Sequence, residues 1–247
     1  MRAIVLAAGR GKRLGSDRPK SLSEVGSSSL LARMLLALDA CGVDEVTVVS
    51  GFQAPLLEAA AKAVPLRRAR LGTVENPDYA RGSVVSLLRG AEAAFGADDV
   101  LVMDADVLFP RALLRRLIDS RHPNAFLLDR RSQMGGEEMM LAARGGRVLR
   151  IARRVDPRGY EVLGEGVGFL KLRAADQPLL RTELERLIAE RGPDREYEEA
   201  IDRLLGRLVV GWEEVGETPW TEVDFVEDLE RARRELLPRV EALDAQG

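Results

Sequence analysis

Residues 6–20, LAAGRGKRLGSDRPK, bring three glycines, three arginines and two lysines into one loop with no acid before Asp17. A plain turn needs one or two glycines, so this surplus points to an anion lying against the backbone. Gly9 and Gly11 let backbone N–H groups approach phosphate oxygens, as in an anion-binding nest. Arg13 adds a planar fork and Lys20 a point charge, a pairing suited to phosphate. A mobile, solvated basic turn is the plainer alternative. Two common phosphate loops fail on spacing. A Walker loop needs Lys-Ser or Lys-Thr after its last glycine, and Gly11-Lys12 is followed by Arg13. A dinucleotide fingerprint needs glycine at its sixth place, where Leu14 stands, and Ser50-Gly51 supplies no ribose-binding acid.

The elements around the loop follow from periodicity. Residues 3–7 read as a buried strand that delivers the loop, and 45–50, 69–74 and 100–103 as further strands. Helical spacing covers 30–38, introduced by Ser27-Ser28-Ser29 as caps, then 56–64 and 84–95. Such β-α alternation predicts an α/β fold with a doubly wound, mostly parallel sheet and ligands at the carboxyl ends of its strands. After Pro123 the rhythm changes to shorter strands over 125–128, 138–143, 148–155 and 167–172, with Gly145-Gly146 as a hairpin turn. Helices follow over 179–190 and 197–208. A strand-like 221–223 then precedes one amphipathic helix over 225–243. With no linker between the halves, 1–247 reads as one domain, a nucleotide-binding half over 1–122 and a second half over 123–247.

The totals exclude several classes. A net charge of −3 and a pI near 5.5 give no global attraction to nucleic acid or anionic membranes, so any anion site is local. Cys41 and His122 are the only residues of their kinds, which leaves no internal disulfide, cysteine-based zinc site or histidine-carboxylate metal cluster. No apolar run approaches the roughly 20 residues of a membrane span. A cytoplasmic chain is the expectation.

The loop and the segments after it resemble a family. Leu6-Ala7-Ala8-Gly9-x-Gly11-x-Arg13-Leu14, followed by Pro19-Lys20, looks like the opening of nucleotidyltransferases that join a nucleoside triphosphate to a phosphorylated acceptor. Asn76-Pro77-x-Tyr79, Gly82-Ser83 and Ser86-Leu87 resemble that family's entry into the base-binding helix. Asp104-Ala105-Asp106 resembles its metal-binding strand end. Glu137-Glu138-Met139, Gly164-Glu165-x-x-Gly168-Phe169 and Trp220-Thr221-Glu222-Val223-Asp224 are most similar to the phosphocholine cytidylyltransferase-like branch. Relatives of that branch act on inositol phosphate and phosphonates.

The resemblance implies a Rossmann-like nucleotidyltransferase fold with a small β-rich insertion on the acceptor side. It places Gly9, Gly11 and Arg13 on the β and γ phosphates of CTP and Lys20 on the α-phosphate. Ala7, Ala8 and Gly51 would complete the nucleoside pocket beside Leu6, and Gly82 with Ser83 would meet the base. Ser83 as a mere cap for the following helix is the structural alternative. Asp106 and Asp224 would hold Mg²⁺, with Asp104 in support, unless Asp224 only caps the last helix. Arg153 and Glu165 would face the acceptor, a small phosphorylated or phosphonate compound. Aromatic residues make up 4% of the chain and Tyr79, Tyr160, Trp212 and Trp220 are scattered. An aromatic cage for choline is therefore disfavoured, and Arg150, Arg153, Arg154 and Arg158 favour an anionic or neutral polyol acceptor. Two other functions stay open: a sugar-1-phosphate nucleotidylyltransferase using UTP, dTTP or GTP, and a nucleotide-binding module without catalysis. Oligomeric state is open as well.

Overall fold

A computed structural model describes residues 1–15, 17–132 and 138–246. Glu137 of the Glu137-Glu138-Met139 motif lies outside the described residues. β1 (Arg2–Leu6) sends Ala3 and Val5 into one apolar layer and Ile4 into the other, the alternation of a strand buried on both faces. After the glycine loop, β2 (Glu24–Val25) and β3 (Ser28–Ser29) form a short hairpin leading into α1 (Leu30–Ala40). Ser29 Oγ accepts the Ala32 N–H at 3.2 Å, so the serine run does cap this helix. β4 (Glu45–Ser50), α2 (Ala54–Lys62), β5 (Arg70–Glu75), α3 (Ser83–Ala94) and β6 (Val100–Asp104) continue the alternation. β7 (Val107–Leu108) and α4 (Arg111–Ile118) close the first half.

The second half begins with β8 (Ala125–Asp129), β9 (Met140–Arg144), β10 (Arg147–Ala152) and β11 (Val162–Leu172). Two helices follow, α5 (Gln177–Arg191) and α6 (Tyr197–Leu205), then β12 (Gly211–Glu214) and β13 (Thr221–Glu222). The chain ends in α7 (Val226–Arg231) and α8 (Leu237–Asp244). Strands β5, β4, β1 and β6 lie side by side and parallel; β11 joins β6 antiparallel and carries β9, β10 and β8 beyond it. The fold is the expected Rossmann-like mixed sheet. Residues from α3, α5 and α6 pack on one face, and from α1, α2 and α4 on the other.

Three departures from the sequence expectation have physical causes. The tail is not one regular helix: α7 and α8 are joined by a π-helical turn, Ala232–Leu236, in which the Leu237 N–H reaches back to Ala232 O. Pro238 has no N–H for a regular bond, and the wider turn accommodates it. β11 starts at Val162 rather than 167, through a run whose glycines argue against a strand. There a Cβ on Gly164 would stand 2.5 Å from the Leu128 side chain. Finally, α4 and β12 were not anticipated. The α4 sequence RALLRRLI is amphipathic, with Leu113, Leu114 and Leu117 buried on one face, whereas GWEE in β12 carries two acids into a strand that pairs with β8 alone.

Candidate active site

Lys20 sits at the centre of the acids. Its Nζ lies 2.5 Å from Asp106 Oδ2, 2.5 Å from Asp224 Oδ1 and 4.0 Å from Glu222 Oε1. One oxygen from each of Asp106, Glu222 and Asp224 falls within 4.8 Å of the others. Backbone pairing builds this cluster from distant segments. β7 runs antiparallel to β13, and the Val223 N–H donates to Asp106 O at 3.0 Å. Beyond β13, the Asp228 carboxylate accepts the N–H groups of Asp224 and Phe225 at 3.2 and 3.0 Å. Asp228 therefore does the capping of α7, and the Asp224 side chain is given to Lys20.

The charges at this point are strongly perturbed. Burial alone would lower the Lys20 pKa; attraction to Asp106, Asp224 and Glu222 outweighs it and holds the ammonium above its ordinary value. Partial loss of water, then repulsion from Asp106 and Asp224, pushes Glu222 up to about 9. Asp106 Oδ1 is buried with no hydrogen-bond partner among the described residues. Three carboxylates around one cation, with an acceptor oxygen to spare, form a donor set that suits a hard dication.

The glycine loop is anchored rather than a loose basic turn. Leu14 is buried with Val25, Leu30, Leu237 and Val240, so the terminal helix grips the loop from below. The guanidinium carbon of Arg13 lies 5.2 Å from the Phe225 ring centroid, and that of Arg10 lies 5.2 Å from Phe52. Gly11 has φ +66°, and a Cβ there would stand 2.5 Å from Lys20 Cβ; at Gly9 nothing lies within 4 Å of that position. Backbone and cations thus border open space. A cleft of about 300 Å³ there is lined by Leu6, Ala7, Ala8, Gly9, Gly11 and Lys20 together with Tyr79, Arg81, Ser83, Asp104 and Asp106, while Arg10 and Arg13 border an adjoining open space with Gly11.

Gly51 and Gly82 do not line the cleft, and each is small for another reason. A Cβ on Gly51 would press on Tyr79 and Ala8, and one on Gly82 would collide with the Arg195 backbone. The space that Gly82 leaves open is taken by an approach of chain to chain. Ser83 lines the cleft but does not cap its own helix, since Gly82 is the N-cap of α3. Ser83 Oγ accepts the Tyr197 N–H at 3.0 Å, capping α6 instead. Gly82 N–H to Pro193 O, Val84 N–H to Arg195 O and a two-pronged Arg81–Asp194 pair fasten the same two segments.

A second, more enclosed cavity of about 160 Å³ lies beyond the acids. Arg13, Asp104, Glu222 and Asp224 border it on the acid side, and Arg153, Tyr197 and Glu198 elsewhere. Asp104 lines both spaces. It does not join the acid trio, because the strand ends there and Ala105-Asp106 turn away. Instead it accepts the Tyr197 hydroxyl at 2.8 Å, and a Cβ on Gly168 would stand 2.6 Å from its Oδ2. Burial, then Asp106 and Glu198, raises the Asp104 pKa well above the carboxylate range, against the Tyr197 hydrogen bond. Arg153 is on the cavity rim, paired with Glu196 at 2.6 Å. Arg150 and Arg158 pair with Asp202 and Asp156, so the arginine cluster is largely neutralised. Glu165 is not among the cavity's lining residues; burial raises its pKa against the opposing pull of a Ser132 hydrogen bond. Glu222, Tyr197 and Glu198 were missed as site residues. Glu222 stands two residues before Asp224, a spacing that would have flagged it; Tyr197-Glu198 at the start of a helix carries no such signal.

Residues 3–165 match the MobA-like NTP transferase domain. The chain belongs to that family. The chain is 33% identical over 244 residues to the bifunctional IPC transferase and DIPP synthase of Rubrobacter xylanophilus, covering 95% of this chain and 52% of that protein. It is 37% identical over 137 residues to the CMP-5'-(3-aminopropyl)phosphonate synthase of Streptomyces rubellomurinus, covering 53% of this chain and 21% of that one. The chain thus spans about half, or less, of the length of these curated relatives. The inositol-1-phosphate CTP transferase of T. maritima superposes with a TM-score of 0.78 at 19% identity, over 100% of this chain and 96% of that one. The CTP:phosphocholine cytidylyltransferase of Streptococcus pneumoniae superposes with 0.75 at 18%, over 94% and 97%. At these identities the structures show a shared fold.

Proposed function

We propose that this chain is a Mg²⁺-dependent cytidylyltransferase that moves CMP from CTP to a phosphorylated alcohol or a phosphonate. The observation that carries the reading is the meeting of two spaces, the loop-lined cleft and the enclosed cavity, at Lys20 and its three acids. A triphosphate in the cleft and an acceptor in the cavity would bring their phosphorus atoms together there. An acceptor oxygen, already deprotonated at neutral pH, forms a bond to the α-phosphorus. The bond from that phosphorus to the bridging oxygen breaks, and pyrophosphate leaves with the electron pair. No general base is required, which fits a site without histidine or cysteine.

Catalysis on this reading is positioning and charge neutralisation. Gly9 and Gly11 hold the β and γ phosphates, Arg13 joins them from the open space it shares with Gly11 next to the cleft, and Lys20 gives its charge to the α-phosphate. Leu6, Ala7, Ala8 and Ser83 border the nucleoside, with Gly51 and Gly82 shaping the chain beneath it. Arg153 faces the acceptor from the rim, and Glu165 supports the strand beside it. Asp106 and Asp224, joined by Glu222, would hold Mg²⁺, which supplies Lewis-acid neutralisation of the phosphate charge. CTP as donor rests on the relatives, whose names specify CTP or a CMP product. Because the reactive groups come from both halves, 1–247 works as one catalytic unit on this reading. No helix among the described residues is long and apolar enough to cross a membrane; we assign the reaction to the cytoplasm, with small molecules and no nucleic acid as partners.

Calorimetric titration of CTP, UTP, GTP and ATP with Mg²⁺ tests the donor. CTP should bind tightest, and tighter GTP or ATP would contradict the assignment. Asp106→Ala and Asp224→Ala should each remove Mg²⁺-dependent turnover while the protein stays folded. Full activity in Asp224→Ala would place the metal elsewhere.

A further inference from the structure

The far wall of the enclosed cavity is apolar, built from Phe126, Leu141, Ile151 and Ile201. Glu198, in the first turn of α6, is set into this wall. Its Oε2 is buried and has no hydrogen-bond partner among the described residues. Buried carboxylate oxygens are normally paired, so an unpaired one on a residue that lines a ligand-sized space marks a carboxylate with room for a donor. The neighbouring groups are otherwise engaged: the Tyr197 hydroxyl is given to Asp104, and Arg153 to Glu196.

We propose that Glu198 is the specificity-determining residue of the acceptor cavity, its Oε2 taking a hydrogen-bond donor, a hydroxyl or a primary ammonium, at the acceptor end remote from phosphorus. This rests on the reading of the cavity as the acceptor site. Acceptors with no donor on the tail are then rejected, because they leave a buried oxygen unpaired in an apolar wall. A quaternary ammonium is the clearest case. It has no N–H, and aromatic faces hold it best. Phe126, Phe169 and Tyr197 line the cavity, but Trp220, a natural candidate to close such a cage, does not and gives its Nε1–H to Asp129 at 2.9 Å. Burial, with repulsion from Glu196, pushes the Glu198 carboxyl up to about 7 against the opposing pull of Arg153 and hydrogen bonding.

A matched series of tails tests this by calorimetry on the full chain saturated with CMP and Mg²⁺. The probes are 2-hydroxyethylphosphonate, 2-aminoethylphosphonate, ethylphosphonate and phosphocholine. At least one of the first two should bind on the order of 10-fold or more tighter than ethylphosphonate and phosphocholine. Glu198→Leu should erase that preference. Glu198→Gln distinguishes the tails: an amide oxygen still accepts from a hydroxyl, so a hydroxyl preference survives and an ammonium preference collapses. Equal binding of all four probes, or an unchanged preference in Glu198→Leu, overturns the proposal. The series reads binding, so it needs no turnover. CTP binding with no binding of any probe overturns this inference alone, whereas failure of CTP itself to bind overturns the cytidylyltransferase reading.

Discussion

Lys20 resolves a conflict among three acids. Two carboxylates about 4 Å apart repel by roughly 4 kcal/mol at an effective dielectric of about 20, and here a third is nearby. The ammonium takes the position that a bound dication would neutralise. Lys20→Met should therefore lower the melting temperature without metal by on the order of 5–10 °C, since breaking such a cluster leaves charges uncompensated. Adding Mg²⁺ should restore it, and Mg²⁺ should bind this variant more tightly because nothing competes for the oxygens. Differential scanning calorimetry with and without Mg²⁺ reads both effects. An unchanged melting temperature would mean that the cluster tolerates its own repulsion. In turnover, Lys20→Met and Arg13→Ala should each cost on the order of 10²–10³ in kcat.

Glu222 gives the same cluster a pH dependence. Its folded pKa is raised, from 4.5 to about 9. A raised carboxyl contributes stability fully below its unfolded pKa, and loses that contribution as pH climbs through the folded value. Without metal, melting temperature should fall between about pH 5 and 9, and Glu222→Gln should flatten that slope. Mg²⁺ binding near pH 7 should release a proton, detectable as a buffer-dependent enthalpy.

Among the elements, α3 and α6 form the coupled pair. α3 begins beneath the cleft and α6 begins beside the cavity, and their first turns are stitched through Ser83, Gly82 and the Arg81–Asp194 pair. Tyr197 on α6 then reaches Asp104, which lines both spaces. Asp194→Asn should raise KM for nucleotide and acceptor together. The melting temperature should move little, because the pair is exposed and such pairs add roughly 0–1 kcal/mol. Steady-state kinetics over both substrates checks this; a change in one KM alone would show that the stitch does not couple the sites. These links explain what the sequence could show. The glycine loop was legible because its chemistry is local: glycines, cations and a preceding strand within twenty residues. Ser83 and Gly82 were visible as small residues, but their partners lie in the α5–α6 connection, which no periodicity ties to α3. Asp106 and Asp224 were paired by family resemblance alone, since the two-residue strands β7 and β13 that join them are too short to leave a pattern. The role of Lys20 among the acids was missed for the same reason.

At the scale of the molecule, the parallel half of the sheet presents the phosphate loop and the antiparallel half encloses the cavity. The acids at their junction draw on both: Asp106 follows β6, and Glu222 and Asp224 come from β13 and the residues after it. The Rossmann-like half was readable because buried parallel strands form continuous apolar runs. The second half was read only in part, as glycines in β11 and acids in β12 disguise its strands. The central claim is that a nucleotide's α-phosphorus is joined to an acceptor phosphorus at this junction. Phosphorus NMR of the products, from five nucleoside triphosphates crossed with phosphonate, polyol-phosphate and sugar-1-phosphate acceptors, tests it directly. The account predicts one strong combination, CTP with a phosphonate or phosphorylated alcohol, giving a cytidylyl product and free pyrophosphate only with Mg²⁺. Product from UTP, dTTP or GTP with a sugar-1-phosphate, or nucleotide binding with no product in any combination, would contradict it.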